Sequence, residues 1–70
     1  MKNTIKARRE ELGMSQTVLA DRLNVTKSWL SNLESGNITD IAIHKADRIA
    51  EALGYKGRNR IFNVFSLGEE

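Results

Sequence analysis

Residues 16–35 read QTVLADRLNVTKSWLSNLES, and the fold turns on the two residues in the middle, Asn24 and Val25. On either side apolar residues recur at spacings of three and four, which predicts helices rather than strands. Val18, Leu19 and Leu23 share one side of the earlier helix, which Ser15 can cap. Thr26 can cap the later one, which runs through about Ser35 with Gly36 just past its end. A two-residue connection forces the axes to cross steeply. Asn is among the few non-glycine residues that accept a left-handed backbone, so Asn24 suits the turn. Ala20 is small enough for the close approach, and Leu19, Leu23, Val25, Leu30 and Leu33 can close a core around it.

Outward from this centre, five glycines punctuate a chain that has no proline. Asn3 or Thr4 can cap a first helix running to about Leu12, with Gly13 as its stop. Thr39 or Asp40 can open a fourth, on which Ile43, Ala46, Ile49, Ala50 and Leu53 form an apolar stripe ending at Gly54. After Gly54 the pattern is ambiguous. Ile61, Phe62 and Phe65 suit the face of a fifth helix, the preferred reading, yet residues 60–65 also fit a strand. The expectation is an all-α fold, a compact bundle of four to five short helices built on a helix-turn-helix. With no linker or repeat, residues 1–70 are expected to form a single domain.

Composition removes several functions. The 70 residues are 40% hydrophobic and 29% charged, which suits a globular chain and not a disordered one. The absence of cysteine excludes disulfides and thiolate metal sites, and the single histidine, His44, excludes a histidine cage. His44 reads as an ordinary surface residue. No apolar run reaches the roughly 18 residues that span a bilayer, and the charged start MKNTIKARRE is not expected to act as a secretory leader. No serine, carboxylate or lysine has a partner spacing that implies catalysis, so neither an enzyme nor a cofactor is expected.

Net charge is a weak guide. The formal total is +2, yet residues 10–55 hold four positive and seven negative side chains. Any nucleic-acid role must then come from placement rather than bulk charge. Placement is informative on the later helix of the motif. With Trp29, Leu30 and Leu33 turned inward or sideways, Lys27, Ser28, Ser31 and Asn32 share one polar face at i, i+4 spacing. Lysine can donate to guanine, asparagine can pair with adenine, and serine can donate or accept. After a tight helix-turn-helix, such a face is expected to read DNA bases rather than only meet solvent.

Ile5-Lys6-Ala7-Arg8-Arg9, Gly13-Met14-Ser15-Gln16, Leu19-Ala20, Val25 and Leu30-Ser31-Asn32-Leu33-Glu34-Ser35-Gly36 together resemble the Cro/CI-type (XRE) helix-turn-helix family. That family includes phage repressors, Cro proteins and restriction–modification controller proteins, and the likeness covers about residues 4–54. It implies a lambda repressor-like DNA-binding domain. It further implies that Gln16 contacts a phosphate and buttresses the recognition helix, and that Lys27, Ser28 and Asn32 read major-groove bases with Ser31 auxiliary. Arg9 and Glu34 match a partly buried ion pair.

Thr26, Ser35 and Asn37 flank the recognition helix and could touch phosphate. Trp29 could pack as core edge or offer its indole to DNA. Lys6 and Arg8 are left to face either phosphate or solvent. Three departures stand out: Asn24 where relatives often have glycine, a loop 37–40 without the usual proline and basic residues, and Asp47 where leucine is common.

Residues 61–70 carry Ile61, Phe62, Val64, Phe65 and Leu67, too much apolar surface for a loose tail. Part should cover the core. The rest, within a segment of about residues 57–68, is expected to form a homodimer interface through Ile61, Phe62, Val64 and Phe65. Two recognition helices about 34 Å apart would then read a palindromic operator. The expected function is a cytoplasmic transcriptional regulator that blocks or recruits RNA polymerase, with no membrane role. No small-molecule effector is expected. The alternative is an antitoxin-type module whose apolar segment masks a toxin.

Overall fold

Ser15 Oγ accepts the Val18 N–H at 3.1 Å and Thr26 Oγ1 accepts the Trp29 N–H at 3.0 Å, so both helices of the motif start where their caps predict. The computed structural model describes residues 3–38, 40–57 and 59–65. It contains α1 (Ile5–Glu11), α2 (Gln16–Leu23), α3 (Lys27–Glu34), α4 (Ile43–Ala52) and a short 3-10 helix, Arg60–Asn63. Among the described residues there is no strand beyond an isolated antiparallel bridge between Asn3 and Phe65. The all-α expectation holds. Thr39, Leu67 and the end of the expected interface segment, residues 66–68, lie outside the described residues.

Each helix contributes to one core: Ile5 from α1, Leu19, Ala20 and Leu23 from α2, Leu30 and Leu33 from α3, and Ala46, Ile49 and Ala50 from α4. Leu53, Val64 and Phe65 complete it from beyond α4. Burying a large aliphatic or aromatic side chain contributes roughly 1.5–3 kcal/mol. The tail residues Val64 and Phe65 therefore belong among the groups that hold the fold together.

Several expectations need correction. Ile43 is 71% exposed instead of lying in the α4 stripe. It is the first residue of the helix, whose cap is Ala42 and not Thr39 or Asp40. Side chains lean toward a helix's N-terminus, so Ile43 points past the packed turn. Ile38 and Ile41 from the preceding loop pack on the core instead. Val18 is largely exposed because the buried face of α2 is set by Leu19, Ala20 and Leu23.

Thr4 holds the cap position of α1, but its side chain does no capping. Asn3 Oδ1 accepts the Ile5 N–H, while the Thr4 hydroxyl donates to the Asn63 carbonyl. The preferred fifth helix is reduced to a single 3-10 turn. Its end is drawn off by pairing: the Thr4 N–H donates to the Val64 carbonyl at 2.9 Å, and Phe65 bridges to Asn3.

Candidate nucleic-acid interface

The turn between α2 and α3 is built as its residues require. Asn24 sits at φ 57°, ψ 45°, the left-handed region, and closes α2. The Val25 N–H returns to the Ala20 carbonyl at 3.0 Å. Buried Ala20 leaves room for the second helix to cross. This fixes the pose of α3, whose Leu30 and Leu33 are wholly buried.

On the opposite side of α3, Lys27, Ser28, Ser31 and Asn32 are all exposed. None of their side chains makes a hydrogen bond or ion pair among the described residues. Their polar groups are left uncommitted. At the start of the helix the Trp29 and Leu30 N–H groups are satisfied by Thr26, while those of Lys27 and Ser28 have no partner in the helix. Two backbone donors and a lysine thus point off the same end.

Arg9 and Glu34 come together as the resemblance implies. Arg9 Nε donates to Glu34 Oε2 at 2.8 Å and Nη2 donates to Oε1 at 3.1 Å, a two-pronged pair. Nη1 donates to the Met14 carbonyl, and Gln16 Nε2 donates to Glu34 Oε1 at 3.0 Å. Arg9 is only 7% exposed. The bond to Glu34 raises the Arg9 pKa against the opposing effect of burial. Burial pushes the Glu34 carboxyl up, but hydrogen bonds from Arg9 and Gln16 and the charges of Arg9 and Lys6 outweigh it, leaving the group below its ordinary value. One carboxylate therefore ties α1, the start of α2 and the end of α3. Gln16, half-buried at that junction, still has its second amide N–H. Lys6, Gln16, Ser31, Glu34 and Ser35 surround one hollow beside the exposed polar face of α3.

The two basic residues left open in α1 part company. Lys6 is exposed at that hollow. Arg8 turns away: Nε donates to the Leu53 carbonyl at 2.9 Å, Nη1 pairs with Glu11 at 3.0 Å, and the guanidinium lies 5.0 Å over the Tyr55 ring. It clamps α1 to the end of α4. Thr26, Ser35 and Asn37 are exposed around α3, with the Thr26 oxygen and the Ser35 hydroxyl already engaged locally. Trp29 is half-buried on the core edge with Lys45 Nζ 5.0 Å from its ring.

The expected dimer residues divide. Val64 and Phe65 are each 2% exposed, buried in the chain's own core rather than turned outward. The bridge to Asn3 draws them in. Phe62 is 63% exposed and Ile61 half-buried. Asp47, the leucine departure, is explained by Arg60, whose Nη2 lies 2.6 Å from its carboxylate. The sequence did not reveal that pair, nor the second bond of the capping residue Asn3, whose amide donates to the Leu33 carbonyl at the end of α3. The Asp47 departure was a signal for the first, and nothing in the sequence pointed to the second.

Comparison with known proteins agrees with this geometry. A family model described as helix-turn-helix matches residues 5–58. A protein of Methanothermobacter thermautotrophicus described as an uncharacterized HTH-type transcriptional regulator is 40% identical over 70 residues. That span covers 100% of this chain and 96% of the relative. No solved structure matched.

Proposed function

The chain belongs to the XRE-type helix-turn-helix family of transcriptional regulators, and from that premise we propose that it reads a palindromic operator sequence-specifically as a homodimer. Lys27, Ser28 and Asn32 contact base edges in the major groove, with Ser31 auxiliary. Gln16, Thr26, Trp29, Ser35 and Asn37 contact phosphates on either side. The carrying observation is that the exposed side chains of α3 are uncommitted while its far end is fixed by Arg9, Glu34 and Gln16. A rigidly held helix with free donors and acceptors loses little order on binding.

Regulation follows from occupancy of a site that overlaps a promoter, by excluding RNA polymerase or by contacting it. The two-fold contact is centred on Phe62, with Ile61 beside it, since Val64 and Phe65 are used internally. The same burial shrinks the apolar surface that an antitoxin-type module would offer, so DNA reading is the better supported function.

Selection of bound sequences from random duplex DNA tests this reading. The expected product is a palindrome with half-sites one helical turn apart. Lys27→Ala and Asn32→Ala should each relax preference at one position of each half-site, by about 1–3 kcal/mol. Equal binding to all duplexes, unchanged by either substitution, would overturn base reading.

A further inference from the structure

The acidic middle of the chain, residues 10–55, has only four cations: Arg22, Lys27, Lys45 and Arg48. Two of them, with His44, line one hollow between α3 and α4, on the other side of Trp29. None of the residues lining that hollow is acidic, and the rest of the lining is apolar. His44, Lys45 and Arg48 are all exposed. They form a continuous stripe on α4, because positions three and four apart share a helix face.

The acids nearest in sequence do not neutralise this stripe. Asp47 is committed to Arg60. Asp40 and Glu51 make no ion pair with Lys45 or Arg48 among the described residues. Lys45 is also held in place, its ammonium 5.0 Å from the centre of the Trp29 ring. A cation over an aromatic face is attracted by the ring's quadrupole.

Position relative to α3 gives the stripe its meaning. At 100° per residue, Trp29 and Glu34 stand on opposite edges of the recognition face. Beside Glu34 lies the hollow with Lys6 and Gln16; beside Trp29 lies the hollow with Lys45 and Arg48. A helix seated in a major groove about 12 Å wide has a phosphate strand on each side. The loop 37–40 that joins α3 to α4 has no basic residue, so the cations on this side of α3 are those of α4.

We propose that Lys45 and Arg48, with Trp29, are phosphate-contacting residues that hold the DNA strand on the α4 side of the recognition helix. This rests on the DNA-reading function above and adds two residues to it. These contacts fix the register of α3 in the groove and carry no base preference. Their partner is the phosphodiester backbone of the duplex.

The test is the salt dependence of binding by the full chain to its selected duplex, measured by fluorescence anisotropy. Neutralising one phosphate contact lowers the slope of log K against log[salt] by about 0.9. Lys45→Gln and Arg48→Gln should each do so, with equal proportional loss on the selected duplex and on one carrying a single changed base. Lys45→Arg should restore the slope, and Lys56→Gln, beyond the far end of α4, should leave it unchanged. Wild-type slopes in both glutamine variants and their double would overturn the proposal.

Neutralising single phosphates of the duplex with methylphosphonates gives a check on the same contacts from the DNA side. A site whose neutralisation weakens the wild type but not Lys45→Gln supports the assignment; the same pattern of losses in both proteins overturns it. A wild type that binds every duplex equally would remove base reading and leave these slopes measurable. A wild type that binds no duplex would remove both.

Discussion

Glu34→Gln should destabilise the protein far more than loss of a surface ion pair does. Its carboxylate accepts three hydrogen bonds, two from Arg9 and one from Gln16, and Arg9 is 7% exposed. The substitution leaves the guanidinium charged, buried and without its counter-ion, which costs about 3–5 kcal/mol when burial is complete. The remaining access to water and the bond to the Met14 carbonyl place the expectation at the lower end, about 3 kcal/mol. At roughly 0.05–0.15 kcal/mol per residue, a chain of 70 residues has only about 3.5–10 kcal/mol to lose. The melting temperature should fall by on the order of 12–24 °C, at about 4–8 °C per kcal/mol for a domain of this size.

A double-mutant cycle separates the pair from everything else each side chain does. Arg9→Met, Glu34→Gln and the double variant, followed by urea and thermal melts, should give a coupling energy above about 1.5 kcal/mol. The double variant should be less damaged than the two losses summed, since it leaves no buried charge. A coupling below about 0.5 kcal/mol, the range of an exposed pair, would refute the claim that the junction is desolvated.

Acid should weaken the fold through the same carboxylate. Its pKa is below the ordinary 4.5 when folded, so it stabilises fully above that value and less as pH falls through the folded pKa; melts of wild type and Glu34→Gln from pH 7 to 3 should converge. Asn24→Gly should be nearly neutral because glycine accepts φ 57°, whereas Asn24→Val should cost about 1–2 kcal/mol in chemical denaturation. Phe62→Glu should shift sedimentation at micromolar concentration from dimer to monomer without lowering the melting temperature. Phe65→Glu should instead unfold the chain, since removing a buried phenylalanine alone costs about 3–5 kcal/mol; equal, mild effects of the two substitutions would contradict the division between them.

What could be read from the sequence was what neighbouring residues decide. Ser15 and Thr26 cap helices three residues ahead, and Asn24 turns the backbone on its own φ, so all three were legible by spacing. The exposed face of α3 followed from the same periodicity. Arg9 and Glu34 lie 25 residues apart and came from family resemblance, not from any local pattern. Arg8, 45 residues from the Leu53 carbonyl it binds, carries no local sign of that role, and the sequence leaves only phosphate or solvent as partners. Periodicity also failed at helix edges: it places Ile43 on the α4 stripe but cannot say that the helix starts there. The ambiguity of residues 60–65 was real in the molecule, where a 3-10 turn runs into a single bridge.

Asn3 sets the order in which the fold can close. Its amide holds the last turn of α3 through the Leu33 carbonyl, while the adjoining backbone pairs with residues 64 and 65. The Thr4 hydroxyl reaches Asn63 across 59 positions. Helices α2, α3 and α4 pack on one another over short stretches of chain, whereas this closure spans nearly all of it and bears a larger loop entropy. It is therefore expected to form late in folding. Weakening it should chiefly speed unfolding and leave the rate of assembly almost untouched. On that expectation α3 is formed early and fastened last.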